Sequence, residues 1–191
     1  MARSAGNWTI PNALTMARIL LTPFFVVLFL DGNYFGALSM FFLAGLSDAL
    51  DGLLARLLDQ RSALGAILDP LADKILLVTS FICLAHAGWI PLWLAVLVVS
   101  RDVIILGGIA VLTFWGRDMR QSIQPSLISK LTTATQMALV LMGFMVGMEA
   151  WGGAGEALLG ALIWIAAALT VVSGGHYVAK GLAMFTGGQD Q

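Results

Sequence analysis

Four aspartates lie in stretches that are otherwise fit for a lipid bilayer. "SDALDGLLAR" (47–56) carries Asp48, Asp51 and Arg56, and "DPLADK" (69–74) carries Asp69, Asp73 and Lys74. Read as helices, Asp48, Asp51 and Ala55 recur at i, i+3 and i+7 and share one face, bordered by Gly52 and Arg56. Gly65, Asp69 and Asp73 follow at i, i+4 and i+8 along one stripe of the next segment. A short connection forces two such helices into antiparallel contact, so the four carboxylates can converge. One aspartate at mid-bilayer costs roughly 2.5–3.5 kcal/mol, so four facing lipid would cost about 10–14 kcal/mol, comparable to a whole domain's stability. They must face protein instead. Packed together without a cation they would repel, and Arg56 and Lys74 neutralise two at most. An all-oxygen donor set calls for a hard divalent cation, Mg2+ or Mn2+. Zinc would want His or Cys, and a di-iron bundle would want Glu-x-x-His pairs. The two histidines, His86 and His176, lie elsewhere.

The small residues add to this chemistry. Gly52, Ala55 and Gly65 strip side chain from the carboxylate face and leave room for a flat ligand or a phosphate. Ser62 can cap the following helix and donate to a phosphate oxygen, and Arg56 supplies a guanidinium fork. Carboxylates for metal, an arginine for phosphate and a small-residue floor together describe a site for a metal-bound diphosphate.

The elements that must position these groups are membrane helices. The 191 residues are 59% hydrophobic and 11% charged, and their mean hydropathy is +0.91. That balance is foreign to a soluble domain of this size. A net charge of −1 argues against nucleic acid as a partner. The single Cys83 lies in an apolar run, which leaves no intramolecular disulfide. Apolar runs fall at about 15–30, 34–57, 65–87, 90–115, 127–149 and 154–179, each long enough for a spanning helix. The expected fold is therefore all-α, a single integral membrane domain over 1–191 with six transmembrane helices. A juxtamembrane segment at 1–14, expected as a short interfacial helix, and a cytoplasmic tail at 180–191 complete it.

Lys and Arg alternate by loop. Arg3 precedes the first run, Arg61 lies in the second loop, Arg117 and Arg120 in the fourth, and Lys180 in the tail, while the first, third and fifth loops have none. The positive-inside rule then puts both termini and the acidic site on the cytoplasmic side. The first apolar run lacks a cleavage-site pattern and its flank lacks the arginines of a transit peptide. A bacterial inner membrane is the expected location.

The stretch D48-x2-D51-G52-x2-A55-R56-x8-G65-x3-D69-x3-D73 resembles the signature of the CDP-alcohol phosphatidyltransferases at eight fixed positions. "IPNALTMAR" (10–18) is similar to that family's juxtamembrane opening, and six helices in about 190 residues is its usual size. The resemblance implies metal-dependent transfer of a phosphatidyl group from CDP-diacylglycerol to an alcohol, with release of CMP. It implies that Asp48, Asp51 and Asp69 ligate two divalent ions, and that Asp73, close to the metals, is the general base. Gly52, Ala55, Arg56, Ser62 and Gly65 would line the CDP moiety, with Asn12 and Thr15 as an N-terminal contact. For "NWTIPNALTMAR" (7–18), membrane anchoring and donor binding stand as competing roles. A homodimer is the usual assembly.

The acceptor is read from two further cations. "SRDVII" places Arg101 and Asp102 in the fourth run, and "PSLISKLTTATQ" places Lys130 near the start of the fifth. Arg101 is either an acceptor-phosphate ligand or the partner of Asp102 or another aspartate, and Lys130 either the same or a snorkelling surface lysine. "LAGLSDALDGLLAR", "QRSALGAILDPLADKIL", "SRDV" and "ISKLTTATQ" most resemble the CMP-forming cardiolipin synthases, whose acceptor is phosphatidylglycerol. Phosphatidylglycerophosphate synthases, which use glycerol 3-phosphate, tend to carry Arg-Glu and a further arginine where this chain reads "RDVIILGGIAVL". His176 has two roles open to it, headgroup contact or interfacial hydrogen-bonder. An ion carrier with intramembrane carboxylates would explain the acids but not Gly52, Ala55, Arg56 and Gly65 at these spacings.

Overall fold

A computed structural model describes residues 10–57, 65–114 and 127–186, within which the side chains of 10–12, 14, 48–57, 65–70, 109–114 and 180–186 are not described. Every described element is a helix: α1 (Ile10–Leu30), α2 (Tyr34–Leu57), α3 (Gly65–His86), α4 (Leu92–Phe114), α5 (Leu127–Gly147) and α6 (Gly152–Thr186). These match the six apolar runs closely. The differences lie at the two ends. The expected interfacial segment is continuous with the first run from Ile10 onward, with Pro11 in the first turn of α1, where a missing N–H costs no hydrogen bond. At the other end α6 continues to Thr186, through the start of the expected tail.

The chain divides into two compact units, 1–83 and 84–191, with the division inside α3. In the first, α1 and α2 pack together. Thr15, Arg18, Thr22, Phe25 and Phe29 are buried along one stripe of α1, and Ala37, Phe41 and Ala44 along α2. Phe25 lies 6.2 Å from Phe29 and 6.4 Å from Phe41 between ring centroids. The turn between the helices is a Schellman motif. The Asn33 N–H donates to the Leu28 carbonyl (2.9 Å) and the Gly32 N–H to that of Phe29 (3.1 Å), with Gly32 at φ 78°, the left-handed conformation glycine adopts freely. Asn33 then caps α2 by accepting from the Gly36 N–H at 3.0 Å.

In the second unit α6 packs against both α4 and α5. Gly143 and Gly147, four apart on α5, admit neighbours where a methyl would not fit. A Cβ at Gly143 would meet the end of Leu84 at 2.3 Å, and one at Gly147 the Trp89 ring at 2.0 Å. This is the small-residue contact by which membrane helices approach closely. The same Schellman turn recurs after α3, with Gly88 at φ 77°, and after α5, where Glu149 holds φ 57°.

Polar groups are buried beside the apolar core, and large apolar side chains are exposed. Buried polar groups include Thr15, Arg18, Arg101, Asp102, Gln136 and Ser173, while Phe24, Val103 and Trp164 are more than 60% exposed. Exposed apolar side chains together with polar groups kept inside are what a lipid environment selects. Among the described residues, Leu127–Gly147 and Gly152–Ala179 are long and apolar enough to cross a membrane.

Candidate functional site

The acidic motif occupies the end of α2 and the start of α3. Because α2 is helical through Leu57 and α3 from Gly65, Asp48 and Asp51 are one turn apart on one helix, and Asp69 and Asp73 one turn apart on the next. The side chains of Asp48, Asp51, Gly52, Ala55, Arg56, Gly65 and Asp69, and that of Asn12, lie outside the described residues, as does Ser62 altogether. No cluster of three metal-ligating side chains occurs among the described residues. The test of a divalent ion therefore rests on donor chemistry and helical register. Two carboxylates per helix, one turn apart and with oxygen donors only, fit Mg2+ or Mn2+.

Asp73 is the one motif carboxylate whose surroundings are described. It forms a hydrogen-bonded ion pair with Nη1 of Arg18, 55 residues earlier on α1. The two members are unequally exposed: Arg18 at 1% is enclosed, whereas Asp73 keeps 34% of its side chain accessible. Arg18 lies on the buried stripe of α1 between Thr15 and Thr22, and the Thr22 hydroxyl donates to the Arg18 carbonyl at 3.1 Å. Thr15, expected to touch the donor, is fully buried on that stripe. Sequence reasoning did not single out Arg18. Its signal was an arginine inside an apolar helix, one turn after Thr15.

The candidate acceptor residues belong to the second unit. Of the two readings of Arg101, the structure holds the ion pair: its Nη1 donates to Oδ1 of Asp102 at 2.7 Å. Its Nη2 donates to the hydroxyls of Ser129 on α5 (3.0 Å) and Ser173 on α6 (2.7 Å). Both members of this pair are buried, at 4% and 3%. The cluster continues along α5 and α6, where Nε2 of Gln136 donates to the Thr170 hydroxyl at 3.2 Å. Lys130 is exposed near the start of α5, and His86 and His176 are exposed as well.

Comparison with known proteins supplies what geometry alone does not. Residues 8–172 match the model of the CDP-alcohol phosphatidyltransferase family. A human protein named cardiolipin synthase (CMP-forming) is 40% identical over 147 residues, covering 70% of this chain and 49% of the relative. The chain thus spans about half the length of that relative. Proteins named CDP-diacylglycerol–glycerol-3-phosphate 3-phosphatidyltransferase match nearly end to end. That of Cereibacter sphaeroides is 34% identical over 217 residues, covering 92% of this chain and 96% of the relative. That of Haemophilus influenzae is 36% identical over 185 residues, covering 92% and 95%. The eight-position motif on α2 and α3, the all-helical fold and these matches together establish that the chain belongs to the CDP-alcohol phosphatidyltransferase family.

Proposed function

We propose that this protein transfers the phosphatidyl group of CDP-diacylglycerol to the hydroxyl of phosphatidylglycerol, forming cardiolipin and CMP. The observation that carries the reading is the Asp73 carboxylate, one-third open on the helix that also bears Asp69 and held by Arg18 of α1. The acceptor hydroxyl oxygen bonds to the phosphorus that carries diacylglycerol. The bond from that phosphorus to the bridging oxygen breaks, and CMP departs with the electron pair. Asp73 takes the hydroxyl proton as general base.

Asp48, Asp51, Asp69 and Asp73 would hold two divalent ions, Mg2+ or Mn2+. Such ions, when bound, supply positive charge at the diphosphate and at the leaving phosphate oxygen. Arg56, Ser62 and the small positions Gly52, Ala55 and Gly65 are assigned to the CDP moiety, with Asn12 beside them; Thr15, fully buried, packs in the α1 stripe instead of touching the donor. All six helices are taken to span the membrane, with termini and site facing the cytoplasm of a bacterial cell, and the protein is taken to act as a homodimer. Cation placement in the loops supports that orientation.

For the acceptor phosphate, exposed Lys130 is assigned as the direct contact and Arg101 as the charge behind it. Asp102 offsets the charge of Arg101, so the Arg101–Asp102–Ser129–Ser173 cluster is formally neutral. A neutral cluster suits the single charge of a phosphodiester better than the double charge of a phosphomonoester. Glycerol 3-phosphate as acceptor is the second reading, favoured by the near end-to-end match to the two bacterial 3-phosphatidyltransferases. Labelled CDP-diacylglycerol offered in turn with phosphatidylglycerol and glycerol 3-phosphate, with products resolved by chromatography, separates the two. Cardiolipin formed only with phosphatidylglycerol is the expected result; phosphatidylglycerophosphate would promote the second reading.

A further inference from the structure

Arg18 is costly to bury, and stability does not explain its presence. A buried ion pair is often matched or exceeded in stability by apolar residues of similar volume, and the stripe on which Arg18 lies is otherwise uncharged: Thr15, Thr22, Phe25 and Phe29. The unequal exposure of the pair points to its use. Arg18 is enclosed at 1%, so a substrate cannot reach it, while a third of Asp73 stays open. The guanidinium therefore approaches the carboxylate from its protein side.

We propose that Arg18 is a positioning residue for Asp73, fixing from behind the carboxylate that takes the acceptor's proton, without touching either substrate. The inference rests on the assignment of Asp73 as base made above. The pair is made between Nη1 and Oδ1, so Arg18 fixes the place of that carboxylate oxygen from an enclosed position that a flexible lysine does not reproduce. The anchoring is reinforced locally, because Thr22 bonds the Arg18 carbonyl one turn on. The contact joins α1 to α3 across 55 residues, so the aim of the base depends on the first helix as well as on its own.

The test uses the full chain purified in detergent, with R18M, R18K, D73N and the double variant R18M/D73N. Turnover, direct binding of labelled CDP-diacylglycerol and thermal midpoint are measured for each. A misplacement of about 1 Å costs on the order of 10²-fold in rate, so R18M should lose about that much kcat while donor affinity is unchanged. R18K, which restores charge without the fork, should recover part of the loss. In the D73N background, R18M should cost no further turnover, because the two residues act as one unit. Should R18M fail to fold, R18K and R18K/D73N carry the same comparison. Wild-type kcat in R18M or R18K would overturn the inference, as would a loss of donor affinity that accounts for the whole effect, or an equal cost of R18M with and without Asp73. Wild-type turnover in D73N would instead remove the base assignment itself.

Discussion

Among the described residues, two arginine–aspartate pairs lie inside this apolar protein, and they are built differently. In residues 1–83, Arg18 reaches Asp73 from another helix, and one member of the pair is open. In residues 84–191, Arg101 and Asp102 are neighbours on α4, both enclosed, with two serine hydroxyls from α5 and α6 accepting from the Arg101 Nη2. The first pair leaves a carboxylate face available for chemistry. The second ties three helices together. A buried charge in a membrane protein thus has two physical justifications, and the accessibility of its partner tells them apart.

Chelation gives the largest expected contrast. Removing divalent ions from the purified protein should abolish CMP release, with recovery on adding Mg2+ or Mn2+, and should lower the thermal midpoint modestly, because the clustered carboxylates then repel one another. A collapse of the midpoint instead would mean that metal serves the fold. Arg101→Met strikes the closed pair. It leaves Asp102 buried without its cation and should cost about 3–5 kcal/mol, read as a lower midpoint, whereas adding Asp102→Leu should restore most of it. If the double variant were no better than the single, the pair would not be the stabilising unit described.

Smaller effects test the packing at the other end of α5, away from that pair. Gly147→Ala drives a methyl into the Trp89 ring and should destabilise by about 1–3 kcal/mol, seen as a lower midpoint in detergent. Glu149→Gly removes a left-handed non-glycine residue and should raise stability by about 1 kcal/mol. Neither residue belongs to the proposed site, so turnover per folded molecule should stay at the wild-type level for both.

The helices were legible because the apolar runs are long and continuous, and the breaks "DGN" and "AGWI" interrupt that pattern. The turn after α5 was less so. Glu149 adopts a conformation that the sequence gives no reason to expect of a glutamate. Residues 10–14 and 180–186 were read apart from the neighbouring runs, yet both are helical with them, Pro11 and Gly181 included. Proline is harmless in a first turn, and one glycine costs only about 1 kcal/mol in a helix. The four aspartates announced themselves by type and spacing, and the family assignment followed from them. Arg18 was hidden by contrast: its partner lies 55 residues away, and only the fold brings the two together. Ser129 and Ser173 were hidden for the same reason, since serine is unremarked in a membrane helix until an arginine is seen to donate to it.

The most direct test is Asp73→Asn, with labelled CDP-diacylglycerol and phosphatidylglycerol supplied together. Removal of a general base costs typically about 10²–10⁴-fold, so cardiolipin and CMP should fall by that much while the variant still folds and binds the donor. Cardiolipin made at the wild-type rate would show that the open carboxylate is not where the chemistry happens.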